Sequence, residues 1–312
     1  MEKKPQVTVI INCLNGERYL NEAIESVYRQ SHQDWEIVLY DNCSTDRTPE
    51  IAAEYDERVR YHRSESTVPL GAARNKALKF ARGEFIAFLD ADDIWMPNKL
   101  ASQMALFVDE DVGIVYGDVE SFNEAGRRRR LSKRKSFARG ECFESLLVGY
   151  FLSMSSVVIR TRALAEQHVY FRDGFQMVEE MDLFIRIAYR WKLDFVPDVL
   201  SRWRVHSESV TWKRYDLLAD ESELMLKMLA DDIPDFESRY RHTIVKARAV
   251  SSRMRATYLW MSGQSGAARI EIRRAPTLTL DLIALWLVSF IPARSALPLV
   301  FRLRSSVVYP SK

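Results

Sequence analysis

The sequence predicts an α/β fold: a doubly wound, mostly parallel sheet flanked by helices, followed by a C-terminal helical appendage. Three observations predict it. VTVII (7–11) and WEIVLYD (35–41) are short runs, rich in β-branched and apolar residues, of the kind found in strands covered on both faces. Segments with helical spacing separate these runs, and strand, helix, strand in succession implies a right-handed parallel unit. Beyond about residue 214 the turn signals fade and the chain becomes rich in Arg, Met and Leu.

Taken in order, VTVII is the first strand and NCLNGER a polar loop after it. YLNEAIESVYRQ places Leu20, Ile24, Val27 and Tyr28 at helical intervals, and WEIVLYD is the second strand. In NCSTDRTPEIAAEY, Thr48 fits an N-cap and Pro49 the first helical position. RVRYHR is a short third strand. GAARNKALKFARG (71–83) reads as a helix closed by Gly83, and EFIAFLD (84–90) as the fourth strand. VGIVYGDVESFN (112–123) is a further strand. GRRRRLSKRKSFARG (126–140) carries eight Lys or Arg between Arg127 and Arg139 and reads either as a solvated loop or as a clamp on a phosphate-bearing lipid. SMSSVVIR (153–160) returns to the strand pattern, and a helix starting near Val178 has Leu183, Phe184 and Ile187 as its apolar face. In the last third, Leu282 to Ile291 is apolar almost all round and stops at Pro292. That run is too short to span a bilayer comfortably. It packs against core or partner, or lies in a membrane interface beside Arg294, Arg302 and Arg304.

Composition narrows the function classes. With 45 basic and 43 acidic residues in 312, the net charge of +2 gives no global field toward nucleic acid. Cys13, Cys43 and Cys142 are odd in number and widely spaced, which fits a reducing compartment better than a disulfide framework or zinc site. The five apolar residues from Val7 to Ile11 are too few for a signal-peptide core, so a cytoplasmic protein is expected.

Ligands of such sheets bind at the carboxyl ends of the strands. Three turns rich in Asp and Asn fall there: Asn12 to Glu17, Asp41 to Asp46, and Asp90 to Asp93. Any one alone reads as a solvated turn; three at one sheet edge read as a site. Asp90 and Asp92, spaced D-x-D after a buried strand, offer hard oxygen donors of the kind that hold Mg²⁺ or Mn²⁺ with positions left for substrate phosphates. No Walker-type glycine loop is present, so a diphosphate here needs a cation, an arginine or both. Arg74, at the head of the helix before this strand, is the candidate arginine.

Four ordered blocks carry a resemblance: VTVIINCLNGERYLNEAIESVYRQSHQDWEIVLYDNCSTDRTPEIA, GAARNKALKFARGEFIAFLDADD, VEEMDLFIRIA and WRVHSESVT. Over about residues 5–212 the chain resembles family 2 glycosyltransferases. The resemblance implies a GT-A fold, a nucleotide-diphosphate sugar donor, a divalent cation (Mn or Mg) and inversion at the anomeric carbon. Carried over, Asn15 and Asp41 match donor-nucleotide positions, although Asn42 stands where the family more often has a second Asp. Arg74 and Asn75 match positions near the diphosphate and ribose. Asp90 and Asp92 match the D-x-D, with Asp92 the metal ligand, Asp93 beside it, and His206 near the metal or diphosphate.

EEMD (179–182) resembles the block whose second acid is the general base. Here Glu180 occupies that position in place of Asp; being one methylene longer, it either serves an acceptor placed slightly further off or leaves the role to Asp182. The expected organisation is a GT-A domain over 1–212, with a nucleotide-sugar half (1–105) and an acceptor half (106–212), and a helical region over 213–312 that associates with membrane or oligomerises. The expected reaction is hexosyl transfer from a nucleotide-diphosphate sugar, UDP-linked in the first instance, to a glycan or lipid-linked glycan acceptor in surface-polysaccharide synthesis. It would take place in the cytoplasm or peripherally at the inner face of the plasma membrane. A homo-oligomer and a membrane surface are further candidate partners; nucleic acid is not. Two other readings stand beside it: a non-catalytic module binding nucleotide sugar or membrane, and a phosphohydrolase with a D-x-D aspartate as phosphoryl acceptor.

Overall fold

Val7, Val9, Ile11 and Cys13 alternate along the first strand and reach one buried cluster, while Thr8 and Ile10, also buried, face the other side of the sheet. A computed structural model of the protein describes residues 4–130, 138–206 and 216–293. In chain order these hold β1 (Val7–Cys13), α1 (Leu20–Tyr28), β2 (Trp35–Asp41), α2 (Thr48–Ala53), β3 (Val59–Arg63), α3 (Leu70–Leu78), β4 (Phe85–Phe88), β5 (Ile94–Trp95), α4 (Lys99–Met104), β6 (Val112–Phe122) and β7 (Arg128–Arg130). There follow α5 (Phe143–Val148), β8 (Val158–Arg160), α6 (Thr161–Ala165), α7 (Glu179–Ala188) and β9 (Lys192–Arg204), then α8 (Leu218–Asp232), α9 (Phe236–Arg239), α10 (Arg241–Met261), α11 (Ser265–Arg274) and α12 (Leu280–Val288).

One sheet runs β3-β2-β1-β4-β8-β6-β9-β5, with β7 paired to β6. β3, β2, β1 and β4 form the doubly wound parallel half. β8 then enters antiparallel to both β4 and β6, β6 and β9 run parallel, and β5 and β7 are short antiparallel additions. The parallel strands end together, so the turns after β1, β2 and β4 share one edge. Leu20, Ile24 and Val27 of α1 pack in the same cluster as the odd-numbered residues of β1, which fixes the helix on that face.

The chain folds into two compact units, residues 4–142 with 152–206, and residues 143–151 with 216–293. Inside the second, Phe143 meets Phe236 and Tyr240 edge-on, and Ala249, Ala256 and Trp260 of α10 form a cluster with Ala268 and Ile272 of α11 and Leu282 of α12. Small residues on α10 let the neighbouring helices approach closely.

Some local expectations are corrected. α3 ends at Leu78, and Gly83 is not its cap. A Cβ on Gly83 would stand 2.5 Å from the Thr8 backbone nitrogen, so this glycine serves a close approach of chains. Thr48 is the first residue of α2: Asp46 Oδ1 accepts its N–H at 3.0 Å, and Thr48 Oγ1 accepts from Gly16 N–H at 3.0 Å. The basic run opens as a strand, since β7 pairs with β6 and Arg130 with the buried Asp118; residues 131–137 lie outside the described residues. In SMSSVVIR the strand starts only at Val158, after a 3₁₀ turn over Met154–Ser156.

Beneath that turn lies a fully buried lysine. Lys99 Nζ donates to Gln103 Oε1 at 2.7 Å and sits 4.2 Å over the Trp95 ring, while Gln103 Nε2 donates to the Ser156 carbonyl at 2.9 Å. Burial holds the Lys99 ammonium well below the usual lysine range. The unfolded chain therefore binds a proton that the folded chain releases, and stability from this group is lost as pH falls below the ordinary lysine value of about 10.4, at up to ~1.4 kcal/mol per pH unit. Lys99→Met is expected to flatten that slope. Denaturant melts at neutral and alkaline pH check it: the variant gains on the wild type as pH falls, and a pH-independent difference would refute the assignment.

Candidate active site

The turns after β1 and β2 are zipped together. Asn15 adopts a left-handed backbone (φ 55°), its N–H donates to Ser44 Oγ at 2.8 Å, and its Oδ1 accepts from Thr45 N–H at 2.8 Å. Asp41 is buried at the tip of β2: Oδ1 accepts from Ser44 N–H at 2.7 Å and Oδ2 from the Tyr61 hydroxyl at 2.6 Å. That hydroxyl is pushed up to about 12 by burial and by Asp41. Asn42 clamps the strand-to-helix segment after β3, donating to the Val68 carbonyl at 2.8 Å and accepting its N–H at 3.0 Å. The side chains read as donor contacts here thus shape the turns, and Asn15 is the one that remains exposed. At the end of β1, both amide atoms of Asn12 are shielded from solvent with no bonded partner among the described residues.

After β4 the chain turns sharply, Asp93 N–H donating to the Asp90 carbonyl at 3.0 Å. The three carboxylates diverge. Asp93 points inward: Oδ2 accepts from Ser155 Oγ at 2.6 Å and Oδ1 from Arg204 N–H at 3.0 Å. Burial, with Asp92 and Asp90 adding repulsion, holds its carboxyl well above the usual range. Asp92 faces His206, Oδ2 to Nε2 at 2.8 Å. Asp90 Oδ1 accepts from Arg74 Nη2 at 3.2 Å. Its carboxyl is also raised, desolvation and Asp92 outweighing Arg74, but 43% of the side chain is exposed and water softens the effect.

Of the expected metal set, then, Asp92 and His206 meet and Asp90 turns to Arg74; among the described residues no three acidic, His or Cys side chains form a metal cluster. Two protein ligands plus phosphate oxygens match how Mg²⁺ and Mn²⁺ are usually held, so the donor chemistry fits such an ion.

Arg74 bridges two motifs. Its buried guanidinium also donates from Nη1 to Glu179 Oε1 at 3.0 Å, at the head of α7. Glu179 Oε2 is buried and unbonded among the described residues. Glu180, the next residue, is half-buried and lies within electrostatic reach of Arg74. Asp182 is fully buried and paired with Arg186 at 2.9 Å and Arg172 at 3.5 Å. Asn75 holds the Phe171 backbone at both ends, donating to its carbonyl at 2.7 Å and accepting its N–H at 3.0 Å, which makes it a clamp on the segment leading to α7.

Arg204 is the strut that sequence reasoning missed. Its Nε donates to the Asp92 carbonyl at 2.8 Å, its Nη2 to Glu22 at 2.8 Å, and its guanidinium lies 4.3 Å over the Tyr19 ring, which in turn lies 5.4 Å from His206. Ser155, also missed, accepts Asp90 N–H at 3.2 Å as it donates to Asp93.

The sequence model of Glycosyl transferase family 2 matches residues 8–174, more than half of the 312-residue chain. The chain belongs to glycosyltransferase family 2. This glycosyltransferase is 37% identical over 118 residues to UDP-Glc:alpha-D-GlcNAc-diphosphoundecaprenol beta-1,3-glucosyltransferase WfgD of Escherichia coli, a match covering 38% of this chain and 47% of that relative. The match thus spans about half of WfgD. It is 29% identical over 209 residues to the glycosyltransferase MJ1057 of Methanocaldococcus jannaschii, covering 65% of this chain and 71% of the other. Its GT-A fold is shared with S. aureus TarS, solved in complex with UDP (TM-score 0.56, 18% identity, 93% of this chain and 92% of that one). It is shared too with the mannosyltransferase PcManGT from Pyrobaculum calidifontis, solved with GDP-Man and Mn²⁺ (TM-score 0.62, 20% identity, 95% and 81%).

Proposed function

We propose that this glycosyltransferase moves a sugar from a nucleotide-diphosphate donor, UDP-linked, to a hydroxyl of a lipid-linked glycan, with inversion. The observation that carries it is the Arg74 bridge between Asp90 of the D-x-D turn and Glu179, next to Glu180, at the head of α7. Donor diphosphate and acceptor base would then face one another across a single buried cation. The WfgD name, with a UDP-sugar and a diphosphoundecaprenol acceptor, supports the donor and acceptor class, and such an acceptor would place the enzyme at the inner face of the plasma membrane.

Asp92 and His206 would hold the divalent ion, which when bound offsets diphosphate charge. Arg74, kept in place by Glu179, adds a fixed positive charge beside Asp90 for the departing diphosphate. Glu180 takes the proton from the acceptor hydroxyl as its oxygen bonds to the anomeric carbon and the bond from that carbon to the diphosphate oxygen breaks; a single displacement inverts the centre. α7 carries Glu179, Glu180 and Asp182 in its first turn. Asp41 and Asn42 order the nucleotide-side loops, and the exposed Asn15 is the polar side chain of these turns open to the nucleotide. Asp93, Asp182 and Asn75 act as supports.

The test is calorimetric titration with UDP, GDP, dTDP and CMP, with and without Mn²⁺, alongside Asp92→Asn. Cation-dependent binding of UDP, lost in Asp92→Asn, is the expected result. Binding of none of the four nucleotides would overturn the donor reading, and equal binding without cation would remove Asp92 and His206 from a metal role.

A further inference from the structure

α12 is fixed in place yet presents its apolar side outward. Leu282 is its buried anchor, Thr279 caps it by accepting Leu282 N–H at 3.3 Å, and the turn after it is held by Trp260 Nε1 donating to the Ile291 carbonyl at 3.0 Å. Arg269 of α11 donates to the Ser289 carbonyl at 3.0 Å and stacks 4.6 Å over Phe290. Leu280, Ile283, Leu287 and Phe290 recur at three- and four-residue spacing, one stripe of a helix, and all are exposed: Leu280 by 86%, Leu287 and Phe290 by 59% each. Leu278 and Ile291 extend the exposed stretch at either end. So many large apolar groups held outward on one short segment mark an interaction surface.

Charge selects the partner. Arg273 and Arg274 are exposed in the last turn of α11, just before this segment. From Leu282 to Lys312 the sequence has no Asp or Glu and carries Arg294, Arg302, Arg304 and Lys312, which lie outside the described residues. A second copy would bring like charges together; an anionic surface would not. No helix among the described residues is long and apolar enough to cross a membrane, and the nine residues of α12 suit a helix lying in the interface.

We propose that the α12 stripe, preceded by the exposed Arg273 and Arg274, docks the protein on an anionic lipid surface. The inference deepens the reading of a lipid-linked acceptor, but it stands on the second unit alone. The experiment is vesicle flotation of the full chain with phosphatidylcholine alone and with phosphatidylglycerol added, at low and high salt. Flotation only with the anionic lipid, weakened by salt, is expected. Leu280→Glu with Leu287→Glu should abolish it, and Arg273→Gln with Arg274→Gln should lower partitioning on the order of tenfold. Circular dichroism and UDP binding by the same variants report whether the fold persists. A wild type that fails to float, or a dimer in light scattering that Leu280→Glu dissolves, would overturn the proposal, the second result in favour of a self-interface. Flotation without nucleotide binding would leave this inference standing while removing the donor reading.

Discussion

Glu180→Gln is expected to slow transfer to the acceptor by roughly 10²–10⁴-fold, the usual contribution of a positioned base, with nucleotide binding unchanged. The amide keeps the shape of the side chain and removes its capacity to take a proton. Asp182→Asn is the matched control: that carboxylate is fully buried between Arg186 and Arg172, so its loss should lower the denaturation midpoint and leave the folded fraction active. Initial rates at saturating donor, with calorimetry on both variants, separate the two roles. Turnover by Glu180→Gln within a few-fold of the wild type would dismiss Glu180 as the base, and a folded, nucleotide-binding but inactive Asp182→Asn would move the role there.

Arg74→Met should destabilise the protein by about 3–5 kcal/mol, the cost of leaving a buried charge without its partner. Glu179 is the charge left behind; Asp90, partly exposed, turns to water. Against a typical total of about 5–15 kcal/mol, such a loss would be plain in urea unfolding. Adding Glu179→Leu to Arg74→Met should recover much of it, because replacing both members of a buried pair is far milder than removing one. A single variant within ~1 kcal/mol of the wild type would mean that the bridge contributes little to the fold. The double variant, restored in stability, should still lack transfer, since the charge beside the diphosphate is gone.

The parallel half was legible because strands covered on both faces leave unbroken apolar runs: WEIVLYD matches β2 residue for residue, and the helix expected near Val178 begins at Glu179. The errors came where a residue answers to a distant part of the chain. Gly83 looks like a helix stop in its own neighbourhood, and its reason lies at Thr8, on another strand. Thr48 has the chemistry of a cap and lends it to the turn after β1. In the site, the D-x-D and the EEMD block were visible as local spellings, but the pairing of Glu179 with Arg74 was not, and Ser155 and Arg204 act through partners far away in sequence and carry no local mark. Asp41, Asp93 and Asn75 were visible for the opposite reason: the residue types that hold ligands also hold turns.

The Arg74 bridge also bears on how such enzymes can be recombined. Its two ends are 105 residues apart, one on each side of a boundary drawn between the nucleotide-sugar and acceptor halves. A chimera joining residues 1–105 to the remainder of a relative would inherit one end only, and a foreign neutral residue opposite Arg74 would strand a buried cation. Specificity could be exchanged between relatives by grafting loops, but whole halves would be interchangeable only where the arginine and the glutamate travel together.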